Sequence, residues 1–196
     1  MIDKEILKIY ETEKALLRGH FVLSSGKHSS IYLQSALVLS VPNHLNLIAN
    51  YMVSILRNKV NLSELDLIVS PAMGGIIIGN KIGELLNKKS IFLERVNGKF
   101  TLRRGFNIKK NARVLIMEDV ITTGKSSLEC VKIVKKFKAK LVGFACIIDR
   151  SNKKELKIKK EIVSQIKLDI PTFKKNKLPP NLKNTSITKP GSRYLK

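Results

Sequence analysis

Tryptophan is absent from this chain of 196 residues, and aromatic side chains make up only 6% of it. Cysteine occurs twice, at Cys130 and Cys146, in helical and strand-like contexts. That is too few for a disulfide framework or a four-ligand zinc site. No apolar run approaches the roughly 18 residues that span a bilayer. The N-terminus, Met1-Ile2-Asp3-Lys4-Glu5, carries both signs of charge and no apolar signal region. A soluble protein of a reducing, cytoplasmic compartment is therefore expected, with no membrane partner. Acidic residues are also scarce, 15 against 37 basic ones, leaving a net charge of +22. Residues 151–196 alone hold 13 basic and 3 acidic residues. Surfaces that read bases or stack on single strands favour Arg with interleaved aromatics. Here Lys dominates and aromatics are few, so nucleic acid is not the expected partner. Abundant Lys, Ile and Asn fit codon usage in an AT-rich genome.

Hydrophobic residues, at 43%, suffice for a real core. Residues 3–18 read as an amphipathic helix stopped by Gly19, through Ile6, Leu7, Ile9, Tyr10, Leu16 and Leu17. Two short strands follow around the turn Ser24–Ser30, and a helix opens at Pro42-Asn43 and runs to about Arg57. From residue 67 onward, short apolar strands alternate with helices: strands at 67–69, 91–93, 114–117 and 141–148, helices at 76–86 and 124–137. Strands apolar on both faces and alternating with helices predict an α/β fold, a parallel sheet flanked by helices. Residues 95–111 look like an exposed, mobile excursion. Residues 158–168 offer one or two strands at the sheet edge, and residues 171–196, rich in Lys and Pro, read as an extended tail. One domain over 1–196 is expected, with hood elements at 1–40, the core sheet at 60–150 and the tail at 170–196.

The chemistry concentrates in Val114-Leu115-Ile116-Met117-Glu118-Asp119-Val120-Ile121-Thr122-Thr123-Gly124-Lys125-Ser126-Ser127. A buried strand ends in two adjacent carboxylates, then a loop of hydroxyls and glycine opens a helix. Ligands of open parallel sheets bind at the carboxyl ends of the strands. Backbone N–H groups at a helix start hold phosphate. Adjacent carboxylates repel phosphate, so they suit sugar hydroxyls or a metal attached to them; a ribose 5-phosphate has both ends. Gly124-Lys125-Ser126 imitates the end of a P-loop, but that motif requires glycine where Asp119 stands. Thr122 or Thr123 acting simply as a helix cap would explain one hydroxyl, not two carboxylates.

This segment resembles the phosphoribosyl-diphosphate signature of the type I phosphoribosyltransferases. Further stretches make the chain similar to the orotate phosphoribosyltransferase family. Residues 19–29 resemble its hood, Ser70-Pro71-Ala72-Met73-Gly74-Gly75-Ile76 its pyrophosphate loop and Glu94–Lys99 the start of its flexible catalytic loop. Ile148-Asp149-Arg150 resembles the strand end that meets the base, and Lys189–Arg193 the tail of one bacterial branch. The likeness runs from about residue 3 to 193, in family order. It implies a type I phosphoribosyltransferase fold with a small N-terminal hood and an extended C-terminal tail.

The resemblance also implies an activity: transfer of 5-phosphoribosyl from phosphoribosyl diphosphate to orotate, giving orotidine 5′-monophosphate and pyrophosphate in pyrimidine (UMP) biosynthesis. Glu118, Asp119 and Lys99 would be catalytic. Arg95, Lys99, Glu118, Asp119, Val120, Ile121, Thr122, Thr123, Gly124, Lys125 and Ser126 would hold phosphoribosyl diphosphate, and Thr122 and Arg150 orotate. Mg²⁺ would arrive bound to the substrate, without direct protein ligands, and a homodimer would share its active sites. Gly74 and Ser24 stand where some members carry Lys, Lys125 where many carry Gly or Thr, and Thr101 where some carry His; Arg103 or Arg104 are candidates to compensate. The tail lacks the paired cysteines associated with that branch. Two other functions use the same central motif: transfer to a purine base, and a regulator that senses phosphoribosyl diphosphate and binds nucleic acid. Taken alone, His20, His28 and His44 read as surface or turn residues, Asp149-Arg150 as a surface ion pair and Lys153–Lys160 as a solvated face.

Overall fold

A computed structural model describes residues 2–23, 26–152 and 156–188. Along the chain the elements are α1 (Ile2–Thr12), β1 (Leu16–Val22), β2 (His28–Leu33), α2 (Ser35–Leu39), α3 (Pro42–Lys59), β3 (Leu67–Pro71), α4 (Gly75–Leu86), β4 (Lys89–Val96) and β5 (Lys99–Thr101). They continue with β6 (Arg113–Ile121), α5 (Lys125–Lys136), β7 (Lys140–Asp149), β8 (Ile162–Lys167), α6 (Pro180–Lys183) and β9 (Ile187–Thr188). The chain divides into two compact units, one of residues 39–168 and one of residues 1–38 with 169–196.

The larger unit is the expected parallel sheet, in the order β5-β4-β3-β6-β7-β8, with β5 alone antiparallel to its neighbour. Strand side chains alternate between faces. Val69, Ile91, Val114, Ile116, Phe144 and Cys146 form one apolar layer with Cys130, Val131 and Val134 of α5. Ser70, Ser90 and Met117 instead meet the glycines of α4, Gly75, Gly79 and Gly83, which let that helix lie close on the sheet. Along α3, Ile48, Ala49, Met52, Val53 and Leu56 are buried, and Gln165 Nε2 of β8 donates to Ile48 O at 2.6 Å.

Residues 95–111 are largely exposed, as expected, but they are built on a hairpin and send two side chains into the core. Asn97 and Gly98, both at positive φ, make the two-residue turn that joins β4 to β5. Phe100 and Ile108 are buried in the core layer with Leu102 and Phe106 packed against it, because alternation along β5 turns Phe100 inward. Phe92 and Phe106 meet edge to face, ring centroids 5.2 Å apart.

In the smaller unit the first helix is shorter than its periodicity suggests. Lys14 adopts a left-handed φ of 51°, and Ala15 N closes on Tyr10 O at 2.7 Å, ending α1 before Leu16. Leu16 and Leu17 enter β1, paired antiparallel with Leu33 and Tyr32 of β2. The described part of the tail, to residue 188, runs largely without regular structure, yet Phe173 forms a two-bond bridge with His28 and β9 pairs parallel with β1. The expectations resting on Ser24, on Lys153 to Glu155 and on Lys189 to Arg193 lie outside the described residues.

The histidines correct the surface reading. His20 is 2% exposed and His28 4%. They sit on adjacent strands, with His20 Nε2 and His28 Nδ1 2.6 Å apart and His20 Nδ1 donating to Thr185 O at 3.1 Å. Burial first, then His20 and Lys175, hold the His28 imidazole below its usual range. Strand pairing, invisible in sequence spacing, brings the rings together.

Where β3 and β6 begin, Asp66 accepts from the Arg113 guanidinium at 3.0 Å through both carboxylate oxygens, and from Arg113 N at 2.9 Å. These hydrogen bonds lower the Asp66 pKa from 3.8 to about 2. A depressed carboxylate contributes stability above its unfolded pKa and loses it as pH falls through the folded one. The melting temperature of Asp66→Asn should therefore lie below that of the unaltered protein at pH 6. The gap should close as the pH falls from 3.8 towards 2. A gap that persists at pH 2 would show that this pair is not its source.

Candidate active site

The carboxyl end of β6 positions the two acids, and strand alternation sends them to opposite faces of the sheet. Glu118 is buried on the α5 side, where Ser127 Oγ donates to its Oε1 at 2.8 Å. Asp119 is half-buried on the α4 side, against Gly74; a Cβ on Gly74 would lie 2.6 Å from Asp119 Cγ. With this backbone, the space a side chain at residue 74 would take is filled by the Asp119 carboxylate.

Burial, and next the charge of Asp119, push the Glu118 carboxyl well above the usual carboxylate range, against the opposing pull of the Ser127 hydrogen bond and Arg95. Burial also raises both Cys130 and Cys146, with Glu118 adding to each and Asp149 to Cys146. These buried free thiols are therefore poor nucleophiles. A strongly basic chain thus builds a locally acidic sheet end.

After Ile121 the chain bends through the half-buried Thr122 and Thr123 to Gly124, which holds φ +70° as the residue before α5. A Cβ at Gly124 would lie 2.7 Å from Ile158 Cδ1, so this position needs glycine for both conformation and space. No side chain of Gly124 or its neighbours caps α5. The N–H groups of Lys125, Ser126 and Ser127 in that first turn have no partner within the helix, and the helix dipole adds positive potential there. Lys125 is exposed and Ser126 half-buried. Lys157 N donates to Thr123 O at 3.2 Å, bracing the loop from behind.

Val120 and Ile121 pair with Ile148 and Asp149 of β7, and Arg150 N donates to Ile121 O at 2.8 Å. Asp149 and Arg150 are both buried, so the pair is not a surface ion bridge; Asp149 Oδ1 accepts from Ser151 N at 2.7 Å. Arg95, near the end of β4, reaches Ser126 Oγ at 3.5 Å and pairs with Glu129 Oε2 at 2.8 Å. Lys99 is exposed at the start of β5. Arg104 makes a two-bond pair with Glu94, at 2.9 and 3.1 Å, and Arg103 lies 4.0 Å from the same carboxylate. Residues 118–126, Arg95 and the backbone of Arg150 thus meet at one sheet end.

A family model described as "Phosphoribosyl transferase domain" matches residues 38–178. An orotate phosphoribosyltransferase of Erythrobacter litoralis is 42% identical over 98% of this chain and 99% of its own. One of Parvibaculum lavamentivorans is 42% identical over the full length of both chains. The chain belongs to the orotate phosphoribosyltransferase family. Solved structures agree on the fold. Orotate phosphoribosyltransferase of Aeropyrum pernix superposes with a TM-score of 0.65 at 21% identity, covering 83% of this chain and 93% of that one. Adenine phosphoribosyltransferase of Thermoanaerobacter pseudethanolicus gives 0.59 at 17%, covering 70% and 88%.

Two residues of this family member's site escape sequence reading. Ser127 and Glu129 look like ordinary helix positions, and their roles depend on partners on other strands. The hairpin that carries Arg95 and Lys99 was signalled by Asn97-Gly98, the strongest short hairpin signal. A raised carboxylate pKa makes the folded state bind the proton more tightly, so stability declines as pH rises above the unfolded value. Glu118→Gln should therefore melt higher than the unaltered protein at pH 8, with the advantage vanishing by pH 4. Equal melting temperatures at both pH values would show that Glu118 carries no such burial cost.

Proposed function

We propose that this protein transfers the 5-phosphoribosyl group from phosphoribosyl diphosphate to N1 of orotate. The C1′–O bond to the diphosphate breaks, its electron pair leaving with pyrophosphate; the C1′–N1 bond forms, and orotate gives up its N1 proton. One observation carries the reading: two carboxylates at a strand end adjoin the uncapped start of a helix, in a chain full-length similar to orotate phosphoribosyltransferases. Fixed anions and N–H groups of this kind stabilise charge as it develops, without reorganising.

Glu118 and Asp119 hold the ribose 2′- and 3′-hydroxyls, and Asp119 offsets positive charge on the ribose as the C–O bond stretches. The chain from Val120 and Ile121 through Thr122, Thr123, Gly124, Lys125 and Ser126 cradles the 5′-phosphate. Thr122 and Arg150 bind orotate. Arg95 and Lys99 meet the diphosphate, Lys99 from an exposed hairpin that can close over the site or reach a neighbouring subunit. Among the described residues no cluster of three or more His, Cys, Asp or Glu forms a metal cage. The donor is the Mg²⁺ complex of phosphoribosyl diphosphate, the ion entering with its own oxygen ligands, since Mg²⁺ in such sites is usually held by substrate phosphates. The working form is a homodimer with shared sites, and the whole of 1–196 acts as one catalytic domain. Two buried free thiols suit the reducing cytoplasm. Purine transfer is the weaker alternative: adenine phosphoribosyltransferases share the fold at 17% identity, whereas the full-length relatives at 42% are orotate enzymes.

The test is pyrophosphate release with the Mg²⁺ donor complex and each base in turn. Orotate should support turnover and adenine, hypoxanthine and xanthine should not; turnover with a purine alone would overturn the assignment. Asp119→Asn should lower kcat by roughly two to three orders of magnitude with the melting temperature preserved. A near-normal rate would remove Asp119 from the chemistry.

A further inference from the structure

The Arg95 guanidinium is held on four sides. Nη1 donates to Gly98 O at 2.7 Å across the hairpin turn. The planar group lies over the Phe100 ring, 3.9 Å from its centroid. Nη2 pairs with Glu129 Oε2 at 2.8 Å and approaches Ser126 Oγ at 3.5 Å. Gly98 and Phe100 belong to the β4–β5 hairpin, whereas Ser126 and Glu129 belong to the opening of α5. The Arg95 side chain is only 15% exposed and that of Glu129 only 25%. A pair this shielded keeps much of its strength in salt, unlike the exposed Lys59–Glu161 pair.

Glu129 therefore stands where an isolated charge would do harm. It lies within about a turn of the helix end that receives a phosphate, and an unpaired carboxylate there repels that phosphate. Paired with Arg95 it is neutralised, and the ion pair, a charge contact rather than an aligned hydrogen bond, helps hold the hairpin that carries Lys99 to the helix that follows the phosphate loop.

We infer that Glu129 is a positioning residue, which fixes Arg95 against Phe100 and thereby ties the β4–β5 hairpin to the phosphate-binding helix. The inference rests on the proposed transfer reaction. It assigns a role to a carboxylate outside the motif and makes the Arg95 contribution depend on it. Three consequences follow for the donor. Without Glu129, Arg95 loses its charged anchor and the hairpin one of its ties to α5, so phosphoribosyl diphosphate binds more weakly. Orotate, which does not depend on the clamp, is little affected. Without Arg95, Glu129 is left as an uncompensated negative charge, so removing both is less harmful than removing Arg95 alone.

The experiment is a double-mutant cycle on the full chain with Arg95→Ala, Glu129→Ala and the combination, and with Glu129→Gln as the conservative variant. Steady-state pyrophosphate release gives KM for each substrate, and thermal melting reports the fold. Glu129→Ala should raise KM for phosphoribosyl diphosphate about tenfold and leave KM for orotate within about twofold, a coupling of ordinary size for a contacting pair. Glu129→Gln, which keeps an acceptor but no charge, should recover part of the loss. The double variant should bind the donor no worse than Arg95→Ala. An unchanged donor KM in Glu129→Ala overturns the inference. So do losses that simply add in the double variant, or both KM values rising together with a fall in melting temperature. Failure of the unaltered protein to release pyrophosphate with orotate would instead overturn the transfer reaction itself.

Discussion

Neighbouring residues on a strand must face opposite ways, and this site depends on that constraint at Glu118 and Asp119. The consecutive carboxylates cannot share one environment. Glu118 goes to the α5 face, where it is buried and needs the hydroxyl of Ser127. Asp119 goes to the α4 face, where its carboxylate takes the space a side chain at residue 74 would occupy. The serine in the first turn of α5 and the small residue at 74 both answer to ending one strand with two acids.

The layout was legible because buried parallel strands and their helices carry different periodicities. Val114 to Met117 is apolar throughout and Gly124 to Phe137 is amphipathic, so the sheet and its strand-end motif could be read directly. The misreadings have one cause in common: partners distant in the chain. Leu16 and Leu17 fit the helical period of the first segment, but pairing with Leu33 and Tyr32 draws them into a strand. His20 and His28 show no useful spacing, yet antiparallel pairing brings them together at a tilt, with a ring nitrogen of one 2.6 Å from that of the other. In 95–111 the polar composition hid Phe100 and Ile108, which a count of charges cannot weigh against alternation. The site was legible in its motif residues and illegible in what supports them.

Net charge proved a poor guide to local chemistry. Of 15 acidic residues in a chain of net charge +22, Glu118, Asp119, Glu129 and Asp149 lie at or beside the ends of β6 and β7 and the start of α5. The global excess of lysine raises the concentration of anions around the protein. The sheet end then discriminates through fixed groups: carboxylates for hydroxyls, N–H groups for phosphate oxygens. Steering and recognition are thus supplied by different residues.

The parallel pairing of β9 with β1 gives the smaller unit a mechanical character. In a parallel pair the start of β1 and the end of β9 lie at opposite ends, so tension applied between those two points would load the pair in shear rather than peel it open. Only two residue pairs make up that register, His20 with Ile187 and Phe21 with Thr188. Under such traction the load falls on this short seam, where so few pairs share it that slippage is the natural outcome.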